Sequence, residues 1–336
     1  MSINIRFVLA GHLRREYILP LSGRPLLGVP GGPLVHAAAG LTTWERGIGL
    51  LSRVGEEYPQ EWLKEFKQYD WDTSGVHILP QPVDQRAFHA CLDVQTSTDI
   101  NPLAHFARLG LPFPKPLLGY PAPVVRHEDW QLTPIDAPHP ADIPKEYLDA
   151  RAVHICPVDY NTALRISSAF REAGLSALTL DPSAAYMHRS TMENVRSLVL
   201  GLTAFLPAED DLRALFWGRT NDLWEMAEAV AAFGCEFIVV RNGHGGQMLY
   251  DRESKKRWEV PAYPARVTDL SGAGSSFCGG FLAGFQRTFD PLRAVLHGNV
   301  SASMTVEGSH PLHPLESLPG LAERRLEALG EMVRQV

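Results

Sequence analysis

Short apolar runs alternate with longer amphipathic stretches over most of the chain. Residues 3–10, with Ile5, Phe7, Val8 and Leu9, predict a first β-strand, and residues 16–20 a second. A Gly/Pro turn run covers residues 23–32, and the small residues of 34–43 predict a tightly packed helix. Residues 49–54 form a further strand. Residues 57–69 place Trp62, Leu63, Phe66 and Tyr69 three or four apart, the apolar stripe of a helix. Residues 86–94 alternate, with Phe88, Ala90 and Leu92 on one face and His89 and Cys91 on the other, as a strand does. After residue 151 the rhythm resumes, with strands at 152–156 and 177–180, a helix at 162–173, and strand pieces at 197–200 and 204–206. Helices follow at 212–216 and 222–233. Phe237-Ile238-Val239-Val240 is apolar at every position, the mark of a strand buried on both faces. A hairpin (247–250, 256–260) and two helices (272–285, 291–307) complete the series. Such alternation predicts an α/β fold, a mostly parallel sheet covered by helices.

The 336 residues, 45% hydrophobic and 21% charged, suit one large α/β domain or two smaller ones. Thirty-one basic against 38 acidic side chains leave a net charge of −7, the wrong sign for a nucleic-acid binder. No apolar run approaches the roughly 18 residues of a membrane span, and the first ten residues read as a strand rather than a leader. Four widely spaced cysteines, Cys91, Cys156, Cys235 and Cys278, offer no zinc or redox pattern and read as reduced, buried thiols. A soluble cytoplasmic protein is the expectation. Proline and glycine divide the chain. Ten of the 26 prolines fall between residues 98 and 150, while glycines gather between 242 and 284.

The common nucleotide signatures are missing: there is no G-x-x-x-x-G-K-[ST] loop, and no G-x-G-x-x-G follows the first strand. No G-x-S-x-G elbow occurs, and His310-x-x-His313 lies in a Pro-rich turn without a third ligand. The chemistry-bearing segment is Asp269-Leu270-Ser271-Gly272-Ala273-Gly274-Ser275-Ser276-Phe277-Cys278-Gly279-Gly280-Phe281. Its small residues lead into a helix N-terminus, whose free N–H groups and positive dipole end make a ready anion site. Glycines at 279, 280 and 284 each cost about 1 kcal/mol in a helix, a cost offset if that helix packs closely on Ala294, Ser301 and Ala302 of the next. A glycine-rich packing helix without a ligand is the alternative.

This segment resembles the signature of the ribokinase-like (PfkB-type) carbohydrate and nucleoside kinases, D-T-x-G-A-G-D-x-F followed by G-G-F. The resemblance extends over most of the chain and rests on further landmarks in order. Gly31-Gly32 before the alanine helix resembles the family's G-G motif, and Arg53-Val54-Gly55-Glu56-Glu57 its G-x-V-G-x-D turn. Leu180-Asp181-Pro182 resembles D-P-N, and Arg241-Asn242-Gly243-His244-Gly245-Gly246 resembles T-x-G-x-x-G. The resemblance implies a single three-layer α/β/α domain over residues 1–336, with a mostly parallel sheet and a small β lid from residues 12–30 and 84–97. It implies ATP- and Mg²⁺-dependent phosphoryl transfer to a hydroxyl of a sugar- or nucleoside-like molecule. Gly272, Ala273 and Gly274 would form the anion hole, and Arg241, Gly243, Gly246 and Asn299 would meet the nucleotide. Glu16, Gly31, Gly32 and His36 would meet the substrate. Asp269 would hold a monovalent cation such as K⁺, and Glu209 and Asp211 would hold Mg²⁺. A lid-to-lid homodimer occurs in the family, and nothing in these residues demands one.

The departures fall on chemical positions. Ser275 stands where the family has its general-base aspartate, and such a base is typically worth about 10²–10⁴-fold in rate. Ala208-Glu209-Asp210-Asp211 replaces N-x-x-E, Arg241 replaces the threonine of T-x-G, His36 an asparagine, and Glu16 the lid aspartate. Two readings stay open: a divergent kinase, or a degenerate one that keeps a ligand pocket for regulation or assembly. Arg14 and Arg86 near the lid would suit an anionic substrate, or else are solvated surface groups. The Pro-rich stretch 98–144 carries Phe106, Phe113, Tyr120 and Trp130 as apolar anchors. It is expected as an ordered insertion beside the lid.

Overall fold

The computed structural model describes residues 4–123 and 127–336. Ile3, at the edge of the expected first strand, and residues 124–126 of the Pro-rich stretch lie outside them. The chain opens with strands β1 (Phe7–Ala10), β2 (Arg14–Leu19) and β3 (Leu26–Gly31), helix α1 (Pro33–Thr42) and strand β4 (Ile48–Val54). Helix α2 (Gln60–Phe66) leads to the short strands β5 (Trp71–Asp72) and β6 (Val76–Ile78), then β7 (Arg86–Cys91), β8 (Ser97–Thr98) and helix α3 (Pro102–Arg108). The second half runs β9 (Ala152–Ile155), α4 (Tyr160–Arg171), β10 (Ala177–Leu180), α5 (Met192–Val199), β11 (Ala204–Phe205), α6 (Glu209–Leu215) and α7 (Leu223–Ala231). It closes with β12 (Phe237–Arg241), β13 (Gln247–Asp251), β14 (Arg257–Val260), α8 (Ala273–Thr288), α9 (Pro291–Thr305), α10 (Leu321–Gly330) and β15 (Arg334–Gln335).

Among the described residues the main sheet has eleven strands in the order β15-β14-β13-β12-β11-β10-β9-β1-β4-β5, with β6 also paired to β4. From β12 to β5 the pairings are parallel; the β13–β15 edge is antiparallel. β1, β9 and β10 are buried at every position, as strands covered on both faces must be. One face packs under α1, α8 and α9, and the other under α4–α7. A separate four-stranded sheet, β3-β2-β7-β8, forms the lid.

Glycine sets the distance between the covering helices. A Cβ on Gly279 would stand 1.9 Å from the Ala37 carbonyl oxygen of α1, and one on Gly280 2.3 Å from Ser301 Oγ of α9. The expected α8–α9 contact through Ser301 is present, and Gly279 serves α1 instead.

Residues 197–200 are helical, not a strand. Met192, Val195, Leu198 and Val199 of α5 are buried at helical spacing, a period that a four-residue apolar window cannot display. The Pro-rich stretch holds α3, opened by Pro102 at its first turn. Phe106 and Leu117 pack on Tyr17, Leu19 and Phe88 of the lid, with Phe113 and Tyr120 around them. Trp130 meets Tyr160 edge-on at 5.1 Å on the far side of the main sheet.

Candidate active site

The carboxyl ends of parallel strands are where open α/β sheets bind ligands, and the predicted residues gather there. β1 ends at Gly11-His12, β10 at Asp181, β12 at Arg241, and the first turn of α8 faces them. Gly272 caps α8 with φ +73°, a conformation that suits glycine. That geometry leaves the Gly274 and Ser275 amides without a protein acceptor among the described residues, while Ser276 N–H already bonds the Gly272 carbonyl. Of the expected anion-hole residues Gly272, Ala273 and Gly274, Ala273 N–H is bonded to the Leu270 carbonyl at 3.4 Å, so the free pair at the helix start is Gly274 and Ser275. Ser275 is half-buried and its hydroxyl makes no hydrogen bond to a described residue.

On the substrate side, Glu16 of β2 and His36 of α1 lie buried together, though twenty residues apart in sequence. Glu16 accepts a hydrogen bond from Gly32 N–H at 2.7 Å and sits 3.1–3.2 Å from His36 Nε2, with His89 Nε2 at 3.6 Å. Burial would raise the Glu16 pKa, yet His36 and His89 hold it well below the carboxylate range. Burial works against charge on His89, and Glu16 more than offsets it, so the His89 pKa is raised. Glu16 is therefore ionised, His36 donates through Nε2, and the buried Nδ1 has no partner. The His36 ring lies against Gly272: a Cβ there would be 1.9 Å from Nδ1. Gly31 makes room for Glu16 in the same way, at 2.2 Å. Glu16, Gly31, Gly32, His36 and Gly272 are thereby one cluster; His89 joins it, a residue the strand pattern placed but no motif marked.

Two expected substrate groups are engaged elsewhere. Arg14 is paired with Asp136 of the Pro-rich stretch, which also lies 3.4 Å from His12 Nδ1. Arg86 is bonded to both Asp84 carboxylate oxygens and to the carbonyls of Pro116, Leu118 and Gly119. The Arg86 guanidinium is engaged through all three nitrogens, and the Arg14 charge is balanced by Asp136 through NH1. The partner of Arg14 lies 122 residues away, whereas that of Arg86 stands two residues before it.

On the nucleotide side, a cavity of about 680 Å³ opens beside Asn242, Gly245, Gln247, Pro261, Val333 and Arg334. Gly243 and Gly246 bend the loop behind it with φ +47° and +90°. Asn299 does not face this space. Its amide donates to Gln247 Oε1 at 2.7 Å and to the Pro261 carbonyl at 2.8 Å, and its oxygen accepts Tyr263 N–H at 2.9 Å. It pins Gln247 and Pro261 of the cavity wall from behind.

The acidic groups do not assemble a divalent site. Glu209 is held by Arg213 at 2.6 Å, Asp211 accepts Ala208 N–H at 3.0 Å, and Asp181 is paired with Arg241. Among the described residues no group of three or more His, Cys, Asp or Glu side chains is placed to hold a metal ion. The Mg²⁺ expected at Glu209 and Asp211 does not fit these residues, because a guanidinium occupies the acidic corner. Asp269 is buried and takes a hydrogen bond from Ser271 Oγ at 3.2 Å; burial raises its pKa.

A parallel sheet whose strand ends face a glycine-opened helix start, with a small β lid, defines an α/β protein with free helix-start amides beside a buried Glu16–His36 cluster. Residues 146–318 match the model of the pfkB family of carbohydrate kinases, and the chain belongs to that family. It is 24% identical to a cytidine kinase of Thermococcus kodakarensis over 280 residues, 83% of this chain and 88% of that protein. A putative ribokinase II of E. coli, solved in complex with ATP and Mg²⁺, superposes with a TM-score of 0.69 at 15% identity, covering 96% of this chain and 99% of that one. A Methanocaldococcus jannaschii nucleoside kinase gives 0.65 at 17% identity, covering 97% and 100%. No helix among the described residues is long and apolar enough to cross a membrane.

Proposed function

We propose that this protein transfers the terminal phosphoryl group of ATP to a hydroxyl of a neutral, nucleoside-like molecule. The observation that carries this reading is the start of α8. Two free amides converge there between the Asn242 cavity and the Glu16–His36 pocket, so that donor phosphate and acceptor hydroxyl would meet at one point. Preorganised amides of this kind stabilise the charge of the transferring group, which is most of what such catalysis requires. The acceptor oxygen would bond to phosphorus as the bond to the leaving diphosphate breaks, with the hydroxyl proton lost to water.

The nucleoside class is supported by the cytidine kinase relative and by a Burkholderia thailandensis nucleoside kinase solved with inosine, a neighbour with TM-score 0.67 at 15% identity. Neutrality is supported by the engagement of Arg14 and Arg86. The test is ADP release with Mg·ATP across a panel of nucleosides and free sugars. Turnover on a nucleoside above the no-acceptor rate supports the reading, and turnover confined to free sugars overturns it.

One observation favours a second reading, a protein that binds the same ligands without transfer. Position 275 carries no carboxylate to take the proton, Asp181 is paired with Arg241, and Asp269 accepts the Ser271 hydroxyl through one oxygen. Ser275→Asp decides between them. A wild type that is silent while the variant turns over is a binder; turnover in both is a kinase that works without the carboxylate.

A further inference from the structure

The disagreement between the acidic corner and a divalent ion has a positive side. Arg241 is the last residue of β12, immediately before Asn242 in the wall of the 680 Å³ cavity. Its side chain turns toward α8, where NH1 is the atom nearest to Gly274: a Cβ on that glycine would stand 2.6 Å away. Arg241 thus adjoins the cavity wall in sequence while its guanidinium lies beside Gly274 at the helix start. Of its nitrogens only NH2 is bonded, to Asp181, and Nε is buried with no partner. NH1 makes no hydrogen bond among the described residues. On the other flank of the same helix start, His36 is 3% exposed and its Nδ1 is also without a partner. Buried polar groups in folded proteins are nearly always satisfied, so the unpartnered His36 Nδ1 and Arg241 NH1 leave hydrogen-bonding capacity open on both flanks of this helix start.

Resting on the kinase reading above, we propose that Arg241 is the resident cation of the donor site and binds the terminal phosphate of a nucleoside triphosphate at the start of α8. A guanidinium makes charge-assisted hydrogen bonds to phosphate oxygens, and NH1, the nitrogen beside Gly274, is the donor left free here. The charge balance agrees. Burial pushes Asp181 up to about 7, with Arg241 opposing and the Asp211 carboxylate adding to the rise. The carboxylate partner is thus weakened near neutral pH while the arginine stays charged, and the corner attracts an anion. A threonine at this position, as the family pattern has it, could not do this. An arginine that is never lost to a chelator makes phosphate binding less dependent on free divalent ion.

The test is calorimetric titration of the full chain with ATP and with inorganic triphosphate, in Mg²⁺ and in EDTA. Arg241→Gln is compared with the double variant Arg241→Gln/Asp181→Asn, which leaves no unpaired buried carboxylate. The wild type should bind inorganic triphosphate in EDTA within about threefold of its affinity in Mg²⁺. Both variants should weaken by at least about tenfold, as loss of a hydrogen bond to a charged group predicts. Triphosphate binding by the wild type only with Mg²⁺, or variants equal to wild type, overturns the proposal and leaves the kinase reading standing. A wild type that binds neither ATP nor triphosphate overturns both. Should the variants fail to fold, the Arg241 Nε–H resonance in wild type decides: it should shift and exchange more slowly on adding triphosphate in EDTA, and no change overturns the proposal.

Discussion

Gly279→Ala tests how the α1–α8 contact holds the site together. Alanine at this helix-interior position gains about 1 kcal/mol of helix propensity over glycine. Its new methyl group would stand 1.9 Å from the Ala37 carbonyl oxygen, 2.8 Å from the Ala37 carbonyl carbon and 3.0 Å from Leu41 N. These are backbone atoms, so no rotamer change relieves the contact. Reaching 3.0 Å from the oxygen requires the helices to separate by about 3.0 − 1.9 = 1.1 Å. Overpacking of this kind costs about 1–3 kcal/mol, and a rigid-body shift of two buried helices lies at the upper end. The net expectation is a loss of about 1–2 kcal/mol. Because α1 carries His36 and α8 begins at Gly272, the same shift pries apart the acceptor pocket. Urea unfolding should show a lower midpoint with unchanged m, beside weakened ligand binding. Gly330 of α10 is the control: the nearest atom to its Cβ is Leu296 Cδ1 at 3.9 Å, so Gly330→Ala should keep the propensity gain. A Gly279→Ala protein as stable as wild type, or the two variants moving in the same direction, refutes the packing argument.

Gly272→Ala combines a φ of +73° with a methyl 1.9 Å from His36 Nδ1. It should abolish nucleotide-dependent thermal stabilisation and lower Tm, and an unchanged melting profile would contradict the role of the cap. Asn299→Ala orphans Tyr263 N–H and two acceptors, so urea unfolding should show a loss of about 1–3 kcal/mol. His154, fully buried with a pKa lowered to about 3 by burial and then by Arg241, takes up a proton on unfolding between about pH 6.5 and 3. Its contribution is complete above about 6.5 and falls with pH by up to about 1.4 kcal/mol per unit until about 3, so His154→Asn should flatten the acid limb of a stability–pH curve. Asp136→Ala frees Arg14 and detaches the Pro-rich stretch from β2, so limited proteolysis should cut between residues 110 and 140 sooner than in wild type.

What was legible in the sequence is what local physics writes into it. Gly272-Ala273-Gly274 announced a glycine-opened helix start, and the all-apolar run at 237–240 announced β12, buried along its middle where the parallel strands meet the antiparallel edge. Illegible were the pairings across distance. Arg14 looked unpaired until Asp136, 122 residues away, bonded its NH1, and nothing local announced that Asp181 bonds Arg241 through NH2. Asn299 sat at the position the family pattern assigns, with its amide turned the other way. α10 escaped notice because Arg325, buried and bonded to Ser303 Oγ and Glu307, stands on its inner face where periodicity looks for an apolar residue.

Ser275 and Arg241, each a departure from the family pattern when taken alone, make one pattern when placed together. A carboxylate at position 275 would face the start of α8, the same point toward which Arg241 NH1 extends past Gly274. There it would compete with the donor phosphate for the guanidinium and for the free amides. With serine at 275, the fixed charges at the helix start are those of the arginine and the dipole, both of which favour an anion. The loss of the acid and the gain of the arginine therefore act in the same direction, toward tighter hold on phosphate and weaker proton abstraction. Ser275→Asp should accordingly weaken triphosphate binding in the Arg241 protein more than in the Arg241→Gln variant. Equal effects in the two backgrounds, measured as a double-mutant cycle, would show that the two positions act independently.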